Sequence, residues 1–236
     1  MKIQIVGSGC TWTRELSTSY IINDEILFDV PQGSFKTLYL DYGFDKISTI
    51  VISHFHSDHF ADLHIVLDYI FRHFPKRKLT ILAPKGCAQR VQAMFRLFEL
   101  SHLLPHLEEF VTFIECENGK KLKLGKYSFK CFKMLHGSLD SYGFLIDEGG
   151  NKVGFTGDTA MCNNLHKILK KAKVCFIDTA GVEVTQKHLC VGEVVGLAKE
   201  YPDCNLVKIH LSSYAMQELD YLGESYSRDG DVVIVE

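Results

Sequence analysis

The sequence predicts an α/β protein in which two mixed β-sheets pack together with helices on the outside. Three observations lead there. Apolar, β-rich runs recur along the whole chain, segments with helical spacing are interspersed among them, and no single βαβ rhythm orders the two. The β-rich runs lie at residues 2–6, 19–22, 25–29, 48–53, 79–83, 110–115, 127–135, 142–147, 151–156, 174–178, 206–211 and 231–235. Residues 21–27 and 146–153 read as hairpins, because Asn23 and Asp24 in the first and Gly149 and Gly150 in the second stand between extended runs. Helical spacing is clearest at 58–74, where Leu63, Val66, Leu67, Ile70, Phe71 and Phe74 recur at threes and fours before Pro75. Further helices are expected at 34–42, 86–100, 160–172, 191–201 and 214–222.

A chain of 236 residues suits one domain spanning 1–236. With 46% apolar and 23% charged residues, extensive disorder and fibrous architecture are excluded. A formal charge of −3 withholds the basic signature of a protein that grips nucleic acid through many phosphates, so no strong nucleic-acid-binding surface is expected. The clusters 76–78, 120–123 and 170–173, rich in Lys, read as solvated loop or helix-end charge. No apolar run approaches the roughly 18 residues of a membrane span, and the N-terminus lacks a signal peptide's apolar stretch, which leads to the expectation of a soluble, cytoplasmic protein. The eight cysteines are scattered without a C-x-x-C pair and read as reduced core residues.

The most informative segment is His54-Phe55-His56-Ser57-Asp58-His59, directly after the apolar run 49–53. On an extended segment His54 and His56 point the same way, while Asp58 and His59 fall in the turn entering a helix. One strand end thus offers two pairs of ligands in two directions. Imidazole with carboxylate suits zinc, with manganese and iron as alternatives, whereas calcium or magnesium favours an all-oxygen shell. A single tetrahedral ion could not use four neighbouring side chains and keep a position open for substrate, so the spacing suggests two divalent ions.

His54-x-His56-x-Asp58-His59 after a buried strand resembles the metal-binding signature of the metallo-β-lactamase superfamily, and the resemblance runs along nearly the whole chain. It implies a four-layer αββα sandwich and three more ligands at strand ends: a lone His, a bridging Asp and a final His. His136 follows the run 127–135, Asp158 closes Val153-Gly154-Phe155-Thr156-Gly157-Asp158, and His210 ends Leu206-Val207-Lys208-Ile209-His210. By the family's pattern His54, His56 and His136 hold one metal, Asp58, His59 and His210 the other, and Asp158 bridges. Asp rather than Cys at 158 points away from antibiotic-cleaving lactamases, and His rather than a carboxylate at 56 points away from the diiron oxygen-reducing branch.

Two such ions would bring the pKa of a shared water to about 7, making hydroxide available at neutral pH. The positive charge left on the cluster favours an anionic substrate such as a phosphodiester. Asp58 is expected to aim that hydroxide as well as to ligate. Asp29, at the end of an early strand, resembles the family's outer-shell carboxylate. His188 resembles the general acid of the phosphodiesterase branch that includes ribonuclease Z, and Asp178 stands where that branch carries an acidic partner. Ser212 and Tyr214 follow His210 as in the family's last motif and are expected at the substrate phosphate. His64, His73, His102, His106 and His166 have no matching role.

Ribonuclease Z carries a long projecting arm for the transfer-RNA body. Here residues 137–157, between His136 and Asp158, suffice for a hairpin only. The implied substrate is therefore a small phosphodiester or short nucleotide. A lactonase or thioesterase with the same metal site is the enzymatic alternative, a metal-bound binding protein the non-catalytic one, and homodimerisation is left open.

Overall fold

A computed structural model describes residues 1–236. Strands β1 (Lys2–Gly7), β2 (Ser19–Ile22), β3 (Ile26–Phe28), β4 (Thr49–Val51), β5 (Leu79–Ala83) and β6 (Val111–Glu115) form the first sheet. β7 (Lys121–Leu124), β8 (Tyr127–Lys133), β9 (Tyr142–Glu148), β10 (Asn151–Phe155), β11 (Val174–Asp178) and β12 (Asn205–Ile209) form the second. The last strand, β13 (Val232–Ile234), returns to the first sheet, giving the orders β13-β1-β2-β3-β4-β5-β6 and β12-β11-β10-β9-β8-β7. The helices are α1 (Ser34–Thr37), α2 (Ser57–Phe60), α3 (Leu63–His73), α4 (Cys87–Leu97), α5 (Leu104–Phe110), α6 (Asn163–Leu169), α7 (Val191–Glu200) and α8 (Ser213–Leu222).

The layering follows from side-chain alternation along the strands. Ile21, Leu27, Ile50 and Ile81 face outward into a cluster with Leu63, Val66, Ile70, Val91 and Phe95 of α3 and α4. Their neighbours Tyr20, Phe28, Val51 and Leu82 face the other way, against Phe129, Phe144, Phe155 and Phe176 of the second sheet. Cys175 and Ile177 turn outward again, beneath Leu165, Ile168, Val194 and Leu197 of α6 and α7. Helix, sheet, sheet and helix thus follow in four layers, as expected. At the centre, Phe28 is stacked on Phe155 with ring centroids 4.8 Å apart and sits edge-on to Phe144 at 5.3 Å. Phe28→Ala should cost about 3–5 kcal/mol in chemical denaturation, because both sheets close around that ring. A loss under about 1 kcal/mol would show that the central layer can repack.

Three sequence expectations differ from the structure. The helix expected at 58–74 is two helices, because the backbone at the break docks on the segment after β3: Val30 N donates to His59 O at 2.8 Å and Asp62 N to Val30 O at 3.1 Å. The lysines at 120–123 are not loop charge. Lys121–Leu124 is an edge strand paired antiparallel with β8, its lysines exposed and its leucines half buried. Lys121 and Lys123 gather with Lys130, Lys152 and Lys171 around an outer depression, a locally basic face that the net charge conceals. Finally, α5 has no counterpart among the expected helices.

The eight cysteines are all free, and six are buried. No helix is long and apolar enough to cross a membrane. β3 and β4 are parallel, β10, β11 and β12 are parallel, and β8 runs with β10 because both are antiparallel to β9. The segments leaving the C-terminal ends of these six strands converge on one edge of the sandwich.

Candidate metal centre

Asp29 follows β3, His54 follows β4, His136 follows β8, Asp158 follows β10, Asp178 ends β11 and His210 follows β12. Strand ends suit ligands because the sheet fixes their backbone while their side chains clear it. Asp29 and His210 hold left-handed backbone at φ 54° and 56°. Such a conformation costs an L-residue roughly 1–2 kcal/mol and persists here where neighbours pin both side chains. The glycine before Asp158 has a different reason. Gly157 lies at φ +57°, and an added Cβ would come within 2.9 Å of the Tyr142 carbonyl oxygen.

His54, His56, His136 and Asp158 each direct one donor atom to a common point, these atoms lying within 4.8 Å of one another. Asp58, His59 and His210 form a second such group. Asp158 faces both: its Oδ2 lies 3.6 Å from His54 Nε2 and 3.5 Å from His210 Nε2, and its Oδ1 lies 3.3 Å from His59 Nε2. All seven residues expected as ligands are therefore brought together.

The outward nitrogens of three of these rings are fixed by acceptors. His136 Nδ1 donates to Lys187 O at 2.7 Å, and His59 Nδ1 donates to Asp29 Oδ2 at 2.8 Å. His54 Nδ1 donates to Ser53 Oγ at 3.1 Å, whose own hydroxyl donates to Asp29 Oδ2 at 2.8 Å. Asp29 thus reaches rings in both groups, directly at His59 and through Ser53 at His54, and Ser53 N donates to its other oxygen at 2.7 Å. The inward nitrogens then meet one another: His54 Nε2 is 3.0 Å from His56 Nδ1, which is 3.3 Å from His136 Nε2.

Electrostatics separates the two groups. Burial lowers the pKa of His54, His56 and His136, so all three are neutral at pH 7, and His54 and His136, whose Nδ1 atoms carry the protons, turn Nε2 lone pairs inward on either side of His56. His56 can donate to only one of them, whereas a cation between the rings would engage all three. Burial also works against the charged form of His59 and His210, but carboxylates outweigh it. Asp158 and Asp29 push His59 up to about 10, and Asp158 with Asp178 and Asp58 raises His210. Burial would raise Asp58, yet His210, His59 and the Thr11 hydroxyl hold it below the usual carboxylate range. Asp158 Oδ1 and His210 Nδ1 are buried without a hydrogen-bond partner. Crowded lone pairs, orphaned polar atoms and an imidazole–carboxylate donor set all fit divalent cations.

The raised groups give a sign for metal uptake. His59 and His210 hold protons at neutral pH in the metal-free protein and must release them to coordinate. Adding zinc to metal-free protein in weakly buffered solution at pH 7 should release at least one proton per chain, read with a pH indicator. Uptake of zinc without acidification would contradict this electrostatic picture.

The centre opens into a cleft of about 480 Å³, lined by Cys10, Thr11, Trp12, His56, Asp58, His136, Asp158, Lys187, His188, His210 and Ser212 among others. His188 Nδ1 donates to Asp178 Oδ2 at 3.0 Å, and the His188 ring lies 4.9 Å from that of His136 and 5.2 Å from that of His210. Asp178 is itself fixed, accepting from Thr159 N at 2.9 Å and Ala180 N at 3.1 Å. Ser212 reaches the cleft, but its hydroxyl donates to Ala180 O at 2.6 Å and caps α8 by accepting from Ala215 N at 3.1 Å. Tyr214 is 72% exposed and does not line the cleft. Sequence reasoning missed Ser53, Thr11, whose hydroxyl donates to Asp58 Oδ2 at 2.6 Å, and Trp12. Nothing in the local pattern of residues 10–12 marks them, since their role arises only where the turn after β1 meets α2.

Fold and site together define a metallo-β-lactamase-type metal centre, and the family comparison agrees. The chain belongs to the beta-lactamase superfamily: the family described as Beta-lactamase superfamily domain matches residues 28–211, a span that contains all seven converging candidate ligands. Ribonuclease Z of Staphylococcus haemolyticus (strain JCSC1435) is 29% identical over 123 residues, 51% of this chain and only 38% of that relative. Among solved structures, the metallo-beta-lactamase fold protein YhfI from Bacillus subtilis aligns with a TM-score of 0.78 at 17% identity, covering 98% of both chains. Human tRNase Z, short form, aligns with a TM-score of 0.75 at 19% identity over 100% of both chains. At these identities the structural likeness establishes the shared fold.

Proposed function

We propose that the protein is a dinuclear zinc-dependent hydrolase, a phosphodiesterase that cleaves a small or nucleotide phosphodiester. In this reading one zinc is held by His54, His56 and His136, the other by Asp58, His59 and His210, and Asp158 is shared. Bound divalent ions supply Lewis acidity and an activated water near neutral pH. The chain's own contribution is to place acid, base and ligand groups around one anionic substrate.

The observation that carries the reading is the His188–Asp178 pair at the lip of the centre. Burial would depress the His188 imidazolium, but the Asp178 carboxylate outweighs burial and raises its pKa above the ordinary histidine value. A histidine so held keeps its proton to higher pH than an ordinary histidine, beside both candidate ligand groups, which suits protonation of a leaving alkoxide. Thioester hydrolysis, which expels a thiolate, has no comparable need for an acid at this edge. Thr11 holds Asp58 through its hydroxyl, fixing one face of the carboxylate toward the centre. The cleft volume suits a nucleotide-sized ligand, within the ~300–1,000 Å³ of small-molecule sites. The names of the ribonuclease Z and tRNase Z relatives support phosphodiester chemistry.

Zinc-loaded protein should hydrolyse bis-p-nitrophenyl phosphate and leave a panel of lactones and thioesters intact. Cleavage of lactones or thioesters without cleavage of the phosphodiester would reverse the assignment.

A further inference from the structure

The protein's only tryptophan, Trp12, lines the cleft of the metal centre and is 89% exposed. Tryptophan is highly buried on average, so an indole left almost wholly in water at the rim of a polar site needs an account. It does not sit on a loose tip. Cys10 N donates to Leu211 O at 3.1 Å, and the Thr13 hydroxyl folds back on Cys10 O at 2.9 Å. Thr11 is held to Asp58 at 2.6 Å. The turn carrying Trp12 is therefore tied on one side to the segment before Ser212 and on the other to an expected metal ligand. An aromatic face carried on a tied-down turn, in a cleft whose floor suits a phosphate, matches the two halves of a nucleotide. Lys187 lines the same cleft, and a lone exposed indole offers a π-face to any base without regard to its hydrogen-bonding edge.

We propose that Trp12 is a stacking platform for the base of a nucleotide phosphodiester whose phosphate lies at the metal centre. This rests on the phosphodiesterase reading and narrows its substrate class from small phosphodiesters to those carrying an aromatic base. Trp12 selects the substrate without touching the reacting atoms, and it recognises bases with little preference among them.

A single tryptophan makes the site its own reporter. Adenosine 5′-monophosphate titrated into zinc-loaded protein is expected to quench Trp12 fluorescence, whereas ribose 5-phosphate leaves it unchanged. By calorimetry, Trp12→Ala should bind adenosine 5′-monophosphate about tenfold more weakly than the parent, with ribose 5-phosphate affinity unchanged and Trp12→Phe keeping most of the base-dependent gain. An indole so exposed can be truncated without opening a cavity, and circular dichroism checks that the fold is kept. The proposal is overturned if adenosine 5′-monophosphate does not bind, binds without quenching, or binds Trp12→Ala as tightly as the parent. Because binding is read, the two ideas fail separately. Base-dependent quenching without phosphodiester cleavage removes the catalytic reading alone, and cleavage of bis-p-nitrophenyl phosphate without base recognition removes this one alone.

Discussion

Asp158→Ala is expected to empty the metal centre, lowering bound zinc to at most one ion per chain after dialysis and abolishing hydrolysis of bis-p-nitrophenyl phosphate. Among the carboxylates of the cluster, Asp158 lies within 4.0 Å of donor nitrogens in both groups, His54 and His136 on one side and His59 and His210 on the other. Asp58 approaches only His59 and His210. Without Asp158 the remaining set is five imidazoles and one carboxylate, too little negative charge to hold two dications at short range. Loss of an outer-shell partner costs roughly 10–100-fold in metal affinity, and loss of a shared direct ligand should exceed that.

Asp158→Asn sharpens the test. It keeps the shape of a side chain that is 2% exposed while removing its charge, so a misfolded centre cannot explain the result. In the metal-free protein it also removes the largest of the charges that raise His59 and His210 against burial, so both should titrate lower. Elemental analysis showing two tightly held ions in either variant would remove Asp158 from the bridging position.

Much of this centre is legible in the sequence because ligands stand where a strand stops, and strands announce their ends. The run 49–53 predicts where His54 and His56 sit, and the same logic places His136, Asp158 and His210 at other strand ends. What local pattern cannot convey is which loop from elsewhere closes over them. Ser53 is the last residue of an apolar run, and only the fold makes its hydroxyl a link between His54 and Asp29. Thr11 and Trp12 follow a different strand and reach Asp58 and the cleft through tertiary contact. Ser212 shows the converse, a second use that adjacency hides. Adjacency to His210 suggests substrate contact, and Ser212 does line the cleft, while its hydroxyl also bonds Ala180 and caps the first turn of α8, as a Ser with extended backbone before a helix does. The break between α2 and α3 is hidden for a similar reason: apolar periodicity continues through it, while Val30 captures the backbone groups at 59 and 62.

His188→Ala should leave two zinc ions per chain and lose turnover by about 100- to 10,000-fold on a nucleotide phosphodiester with an alkoxide leaving group. Metal retention follows from geometry. His188 converges with Asp158, Asp178 and His210 in a third set, but it belongs to neither group that contains His54 or His59, and its Nδ1 is engaged by Asp178. The size of the loss depends on the leaving group, which separates an acid from a residue that merely shapes the cleft. p-Nitrophenolate departs with little need of a proton, so bis-p-nitrophenyl phosphate should suffer much less than a nucleotide dinucleoside substrate. The pH profile supplies the sign. A general acid acts in its protonated form, so parent turnover on the alkoxide substrate should fall as pH rises through the His188 pKa, which Asp178 raises against burial above the ordinary histidine value. His188→Ala should lose that descending limb, and Asp178→Asn should shift it to lower pH because the charge that raises it is gone. Equal losses on both leaving groups, with the limb intact, would falsify the general-acid assignment while leaving the metal centre standing.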